Sequence, residues 1–99
     1  MSHVIERAGG SVTITDAALQ QVVAGAIGLV PGARPRRRRG VELEVKAGRA
    51  RVEIELTAPF GAVLPELARD VQMNVTSALA GMCGLVVDAV DVTVAELVA

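Results

Sequence analysis

Residues 41–57 read VELEVKAGRARVEIELT, and this stretch decides the fold. Val41, Leu43 and Val45 alternate with Glu42, Glu44 and Lys46, the two-residue period of a half-buried strand. Ala47, Gly48 and Arg49 supply a turn, and Val52, Ile54 and Leu56 then alternate with Arg51, Glu53, Glu55 and Thr57. Two such runs joined so closely predict an antiparallel hairpin with one apolar face. Matching Val45 with Val52 and Leu43 with Ile54 sets Glu44 opposite Glu53 and Glu42 opposite Glu55.

Downstream, Pro59, Phe60 and Gly61 break the alternation, and a helix begins near Pro65, a residue tolerated in a first turn. Its predicted core stripe is Leu64, Leu67, Ala68, Val71, Val75, Ala78, Leu79 and Met82, with Gly84 as the helix-ending residue. A last strand runs from about Val86 to Val94, with Val90, Val92 and Val94 on one face. Upstream of the hairpin lies a basic, proline-punctuated loop over residues 34–40. Before it, Leu19, Val22, Val23, Ala26, Ile27 and Val30 form the stripe of another helix, stopped by Pro31 and Gly32. Thr15 is placed to cap that helix and Asp16 to charge its first turn, after a short strand over Ser11 to Thr15.

The order β-α-β-β-α-β predicts an α+β two-layer sandwich: a four-stranded sheet with both helices on one face. Residues 1–9 are expected to be a flexible N-terminus and 10–97 a single domain. The chain of 99 residues is 52% hydrophobic, but its aromatics amount to one Phe, so branched aliphatics must build the core. The single cysteine, Cys83, excludes an internal disulfide and fits a reducing compartment. No secretory signal is read at the start, and the longest near-apolar stretch, residues 22–33, falls short of the roughly twenty that span a bilayer.

No catalytic, cofactor or metal site is predicted. His3 and Cys83 stand far apart in the chain, no base accompanies a nucleophile, and no glycine-rich loop leads from a strand into a helix. Gly81-Met82-Cys83-Gly84 has the GxxG spacing of an RNA clamp, but it joins a helix to a strand and carries no basic residue. No small-molecule substrate is expected.

Three surfaces remain as candidates for binding. Arg34, Arg36, Arg37, Arg38 and Arg39 are half of the ten basic residues and form either a solvated loop or a contact for an anionic surface, lipid or nucleic acid. The carboxylates of Glu42, Glu44, Glu53 and Glu55 either deter a further strand or form an acidic docking face, which the arginine loop of a second copy would suit. Opposite the core stripe of the first helix lie Ala17, Gln21, Ala24, Gly25 and Gly28, without a charge among them. Helical glycines cost about 1 kcal/mol each relative to Ala, so either close packing on another surface or relaxed selection explains this face.

Taken together, the residues resemble the alkaline shock protein (YloU-like) family, small envelope stress-response proteins of Gram-positive bacteria. Gly10-Ser11-Val12-Thr13-Ile14-Thr15 is similar to that family's first strand. More specific are Phe60-Gly61, Leu64-Pro65, Leu67-Ala68, Val71-Gln72, Val75, Gly84-Leu85-Val86-Val87 and Val90-Asp91-Val92-Thr93-Val94. Asp91 replaces the family's usual Asn, Cys83 its common Thr, and the arginine loop is not a family feature. The resemblance implies a non-enzymatic cytoplasmic protein that assembles into homo-oligomers and sits near the membrane through a membrane-anchored partner. The competing expectation is a nucleic-acid-associated module using the arginine loop. Gln72 borders the core stripe, where capping a backbone group is its plain role.

Overall fold

The structure, a computed structural model, describes residues 2–38 and 40–99. In chain order the elements are β1 (Ser2–Arg7), β2 (Gly10–Thr15), α1 (Asp16–Gly28), β3 (Arg34–Pro35), β4 (Val41–Lys46), β5 (Arg49–Pro59), α2 (Leu64–Cys83) and β6 (Val86–Val98). The fold is α+β, with a four-stranded sheet and a separate two-stranded hairpin.

β5 organises the sheet. β3 and β4 follow one another antiparallel along one of its edges, and β6 pairs parallel along the other. Ala50, Val52, Ile54, Leu56 and Ala58 of β5 are buried and share one core with Leu19, Val23, Ala26 and Ile27 of α1 and Leu67, Val71, Val75 and Leu79 of α2. Both helices therefore cover the same sheet face. The opposite face carries Arg49, Arg51 and Glu53 to solvent.

Helix ends follow the sequence signals. The Thr15 hydroxyl accepts from the Ala18 amide at 3.1 Å, closing the first turn of α1. Gly84 adopts φ 69°, which lets its own amide and that of Leu85 bond back to the Ala80 and Leu79 carbonyls.

Four expectations are corrected. The strand beginning at Gly10 does not join the main sheet. Both edges of β5 are occupied by β3, β4 and β6, so β2 pairs instead with β1, a strand unread in the sequence because Ser2–Arg7 has little apolar alternation. The fourth strand of the sheet is the two-residue β3. The β4–β5 register is two residues tighter than expected, with Leu43 opposite Val52 and Val41 opposite Ile54. A two-residue turn at Ala47 (φ 52°) and Gly48 (φ 76°) sets it, and such a turn matches the strand twist. Finally, Met82 is not core: the buried line of α2 runs at strict four-residue spacing, Leu67, Val71, Val75, Leu79 and Cys83, and Met82 lies 72% exposed.

Candidate interaction surfaces

The helix layer presents an apolar groove of about 680 Å³ between α1 and α2. Gln21, Val22, Gly25 and Leu29 line one wall, Asn74 and Met82 the other, and no charged residue contributes to the lining. Leu29 is 76% exposed, matching Met82 across the groove. A Cβ added to Gly25 or Gly28 would meet no atom within 4 Å, so nothing in the isolated chain requires glycine there. Of the residues read from the sequence as the α1 docking face, Gln21 and Gly25 line this groove. Gln21 and Ala24 also border a cleft toward Arg36 and Arg37, while Ala17 and Gly28 are exposed outside both. The sequence reading assigns Met82 to the core stripe and Leu29 to no surface. Leu29 is the residue that ends α1, and Met82 stands one position before the last core residue of α2.

The arginine loop is an excursion from an otherwise continuous edge strand. β3 pairs with Leu56 and Thr57, β4 with residues 49–54, and Glu55 between them holds both ends of the loop. The Arg36 amide donates to the Glu55 carbonyl and the Glu55 amide to the Gly40 carbonyl, each at 2.9 Å. The Arg36 guanidinium then reaches the Glu55 carboxylate at 3.0 Å. Arg34, Arg36, Arg37 and Arg38 line a concavity of about 660 Å³ with Pro35, Thr57 and Glu96. Arg39 lies outside the described residues.

The carboxylates distribute differently from the sequence reading, because of the tighter register. Glu42 faces Glu53, Glu53 also neighbours Asp91 on β6, and Glu44 faces Arg51. Glu55 is drawn off to Arg36. The open sheet face thus carries a short acidic row, Glu42–Glu53–Asp91, flanked by the Arg36–Glu55 ion pair and by Arg51 opposite Glu44, rather than a uniform acidic patch.

The remaining polar chemistry is structural. His3 bonds Asp16 at 2.5 Å, tying β1 to the start of α1, and this bond holds the Asp16 carboxyl below its ordinary value. Arg49 bonds both oxygens of Asp88, whose carboxyl is likewise lowered by that hydrogen bond and by the Arg49 charge. A bulge where residue 88 has no partner on β5 frees Asp88 for this contact. Burial pushes the Cys83 thiol up. Among the described residues no group of three His, Cys, Asp or Glu side chains is arranged to hold a metal ion, and no helix is long and apolar enough to cross a membrane.

Comparison with known proteins adds two findings. The profile of the alkaline shock protein (ASP23) family, described by its cell envelope-related function, matches residues 32–99. No curated protein sequence matches the chain. Among solved structures, a variant of the MamM CTD superimposes with a TM-score of 0.59 at 16% identity, over 83% of this chain and 99% of that one. A zinc form gives 0.54 at 17% identity over 81% and 84%, and a copper form 0.56 at 16% over 83% and 98%. At these identities the likeness is one of fold.

Proposed function

The chain belongs to the alkaline shock protein family, whose function is cell envelope-related, and on that premise we propose that it is a non-enzymatic scaffold working through protein–protein contacts and self-assembly. The observation that carries this reading is the uncharged groove between α1 and α2, with Leu29 and Met82 exposed on its two walls. Apolar side chains set around a concave, charge-free surface favour removal from water by a partner. A second copy suits it, because a two-fold contact lays a surface on itself and this one has no like charges to oppose. A cytoplasmic position near the membrane, reached through a membrane-anchored partner, completes the proposal. The Asp16 and Asp88 carboxylates are engaged in internal bonds, Cys83 is buried, and neither arrangement offers the base-and-nucleophile pair that covalent catalysis requires.

Sedimentation velocity tests the assembly. Wild type is expected above its 10.2 kDa monomer mass, and Gly25→Glu and Met82→Glu are expected to return it to monomer. Monomeric wild type across the concentration range would remove the groove as a self-association surface. Cell fractionation tests the location: the wild type should accompany the membrane and Met82→Glu should not.

A further inference from the structure

We infer that the concavity lined by Arg34, Arg37 and Arg38 is a binding site for a phosphate-bearing anion. Three observations combine. The first is charge: four arginines and one carboxylate, Glu96, line a single hollow of about 660 Å³, within the roughly 300–1,000 Å³ usual for small-ligand sites. Of the four, Arg36 is committed to Glu55, whereas Arg34, Arg37 and Arg38 form no ion pair among the described residues. Three guanidinium groups without an ion pair against one carboxylate leave an excess positive charge that the described residues do not neutralise.

The second is preorganisation. A flexible arginine tract would lose much of its binding energy in being ordered. Here the loop is fixed at its neck by the two main-chain hydrogen bonds to Glu55 and by the Arg36–Glu55 pair. The two ends approach so closely that a Cβ on Gly40 would stand 2.2 Å from the Arg36 carbonyl oxygen, a contact only glycine avoids. Pro35 is paired to Leu56 just before the neck and adds its own fixed φ. Arg36 is therefore a positioning residue, and Arg34, Arg37 and Arg38 are the contacts.

The third is the kind of anion. Guanidinium forks match phosphate oxygens two at a time, and a phosphate carries more charge than a carboxylate for the same footprint. Thr57, which carries a hydroxyl, is also among the lining residues. No aromatic side chain lines it, so the stacking that selects nucleobases has no platform. The phosphate can belong to a soluble phosphate compound or to a lipid headgroup, and the test separates these.

Calorimetric titration with inorganic tripolyphosphate, and co-sedimentation with phosphatidylglycerol against phosphatidylcholine vesicles, are run at about 0.15 M salt, where exposed charges are screened beyond about 8 Å. The protein is wild type, Arg34→Ser/Arg37→Ser/Arg38→Ser, or the control Arg51→Ser/Arg69→Ser, which removes charge elsewhere. Binding of tripolyphosphate weakened at least tenfold in the loop variant and under twofold in the control supports a soluble phosphate. The same pattern with phosphatidylglycerol vesicles alone supports a headgroup. No binding to either, equal weakening in both variants, or binding to single-stranded RNA alone would each overturn the inference. The groove variants Gly25→Glu and Met82→Glu should bind as wild type does, so loss of assembly and loss of anion binding are read separately.

Discussion

Gln72 of α2 donates from its side-chain Nε2 to the main-chain carbonyl of Val90 on β6, 3.1 Å away. Among the described residues β6 pairs with β5 alone, so this bond satisfies an acceptor of the outermost strand from the helix above it. Gln20 of α1 does the same at the other edge of β5, donating to the Val41 carbonyl of β4 at 3.3 Å. Each helix thus pins one outer strand by one glutamine.

Replacing Gln72 with Ala leaves the Val90 carbonyl to water, because the site is exposed. The expected loss is about 1 kcal/mol or less, the usual net worth of one neutral hydrogen bond. A urea titration should show a lower midpoint with unchanged slope. A destabilisation several times larger would mean that Gln72 holds more than this bond.

Gly40→Ala should act on the arginine loop. The added methyl collides with the Arg36 backbone at the neck, and both partners are main chain, so the neck itself must open. The Arg36 and Glu55 amides, which donate within the neck, should then exchange with deuterium faster than in wild type. Protection at Val23 and Val71 in the core should be unchanged when corrected for global stability.

Acidification should weaken the fold through two carboxylates. Asp88 and Asp16 have folded values below the ordinary one near about 3.9, by virtue of their bonds to Arg49 and His3. A lowered value favours the folded state above the unfolded pKa, and that contribution disappears as pH falls through the folded one. The contribution of these two carboxylates should therefore be fully present above about pH 5 and decline below about pH 4. Asp88→Asn should flatten part of that decline in chemical denaturation followed against pH, and an unchanged profile would separate the Arg49 contact from stability.

How much of this was legible in the sequence follows from where apolar periodicity is strong. Val41 to Leu56 alternates cleanly and both helices carry a long stripe, so the hairpin, the helices and their shared sheet face could be read directly. The register could not, because residues 45–52 accommodate a wide or a tight turn with equal alternation, and the conformations of Ala47 and Gly48 decide it. The place of Gly10–Thr15 was also hidden: only Ile14 of that strand reaches the core, so the pattern does not say which strand it joins. Of the candidate surfaces, the arginines are visible as composition, but their closure into a hollow by Glu55 is a tertiary fact. Met82 hid behind the assumption that apolar means buried, and Leu29 fell outside the stripe of α1.

Cys83 should resist thiol reagents in the native protein. Its side chain is 3% exposed at the inner end of the α2 stripe, and burial raises its pKa, so thiolate is scarce and access poor. Iodoacetamide labelling at pH 8, followed by mass spectrometry, should be slow in buffer and rapid in urea above the unfolding transition. Fast native labelling would require α2 to open locally.

Gly25→Ala distinguishes the two explanations for the bare face of α1. The position is inside the helix and the new methyl meets nothing within 4 Å, so the monomer should gain about 1 kcal/mol from better helix propensity. If a second copy packs closely on this face, the same methyl intrudes on the contact, and self-association should weaken while the monomer grows more stable. Urea unfolding at low protein concentration reads the first effect, and sedimentation at high concentration reads the second. A stabilised variant that assembles as wild type does would show that the glycine is a tolerated cost and leave Leu29 and Met82 to carry the contact.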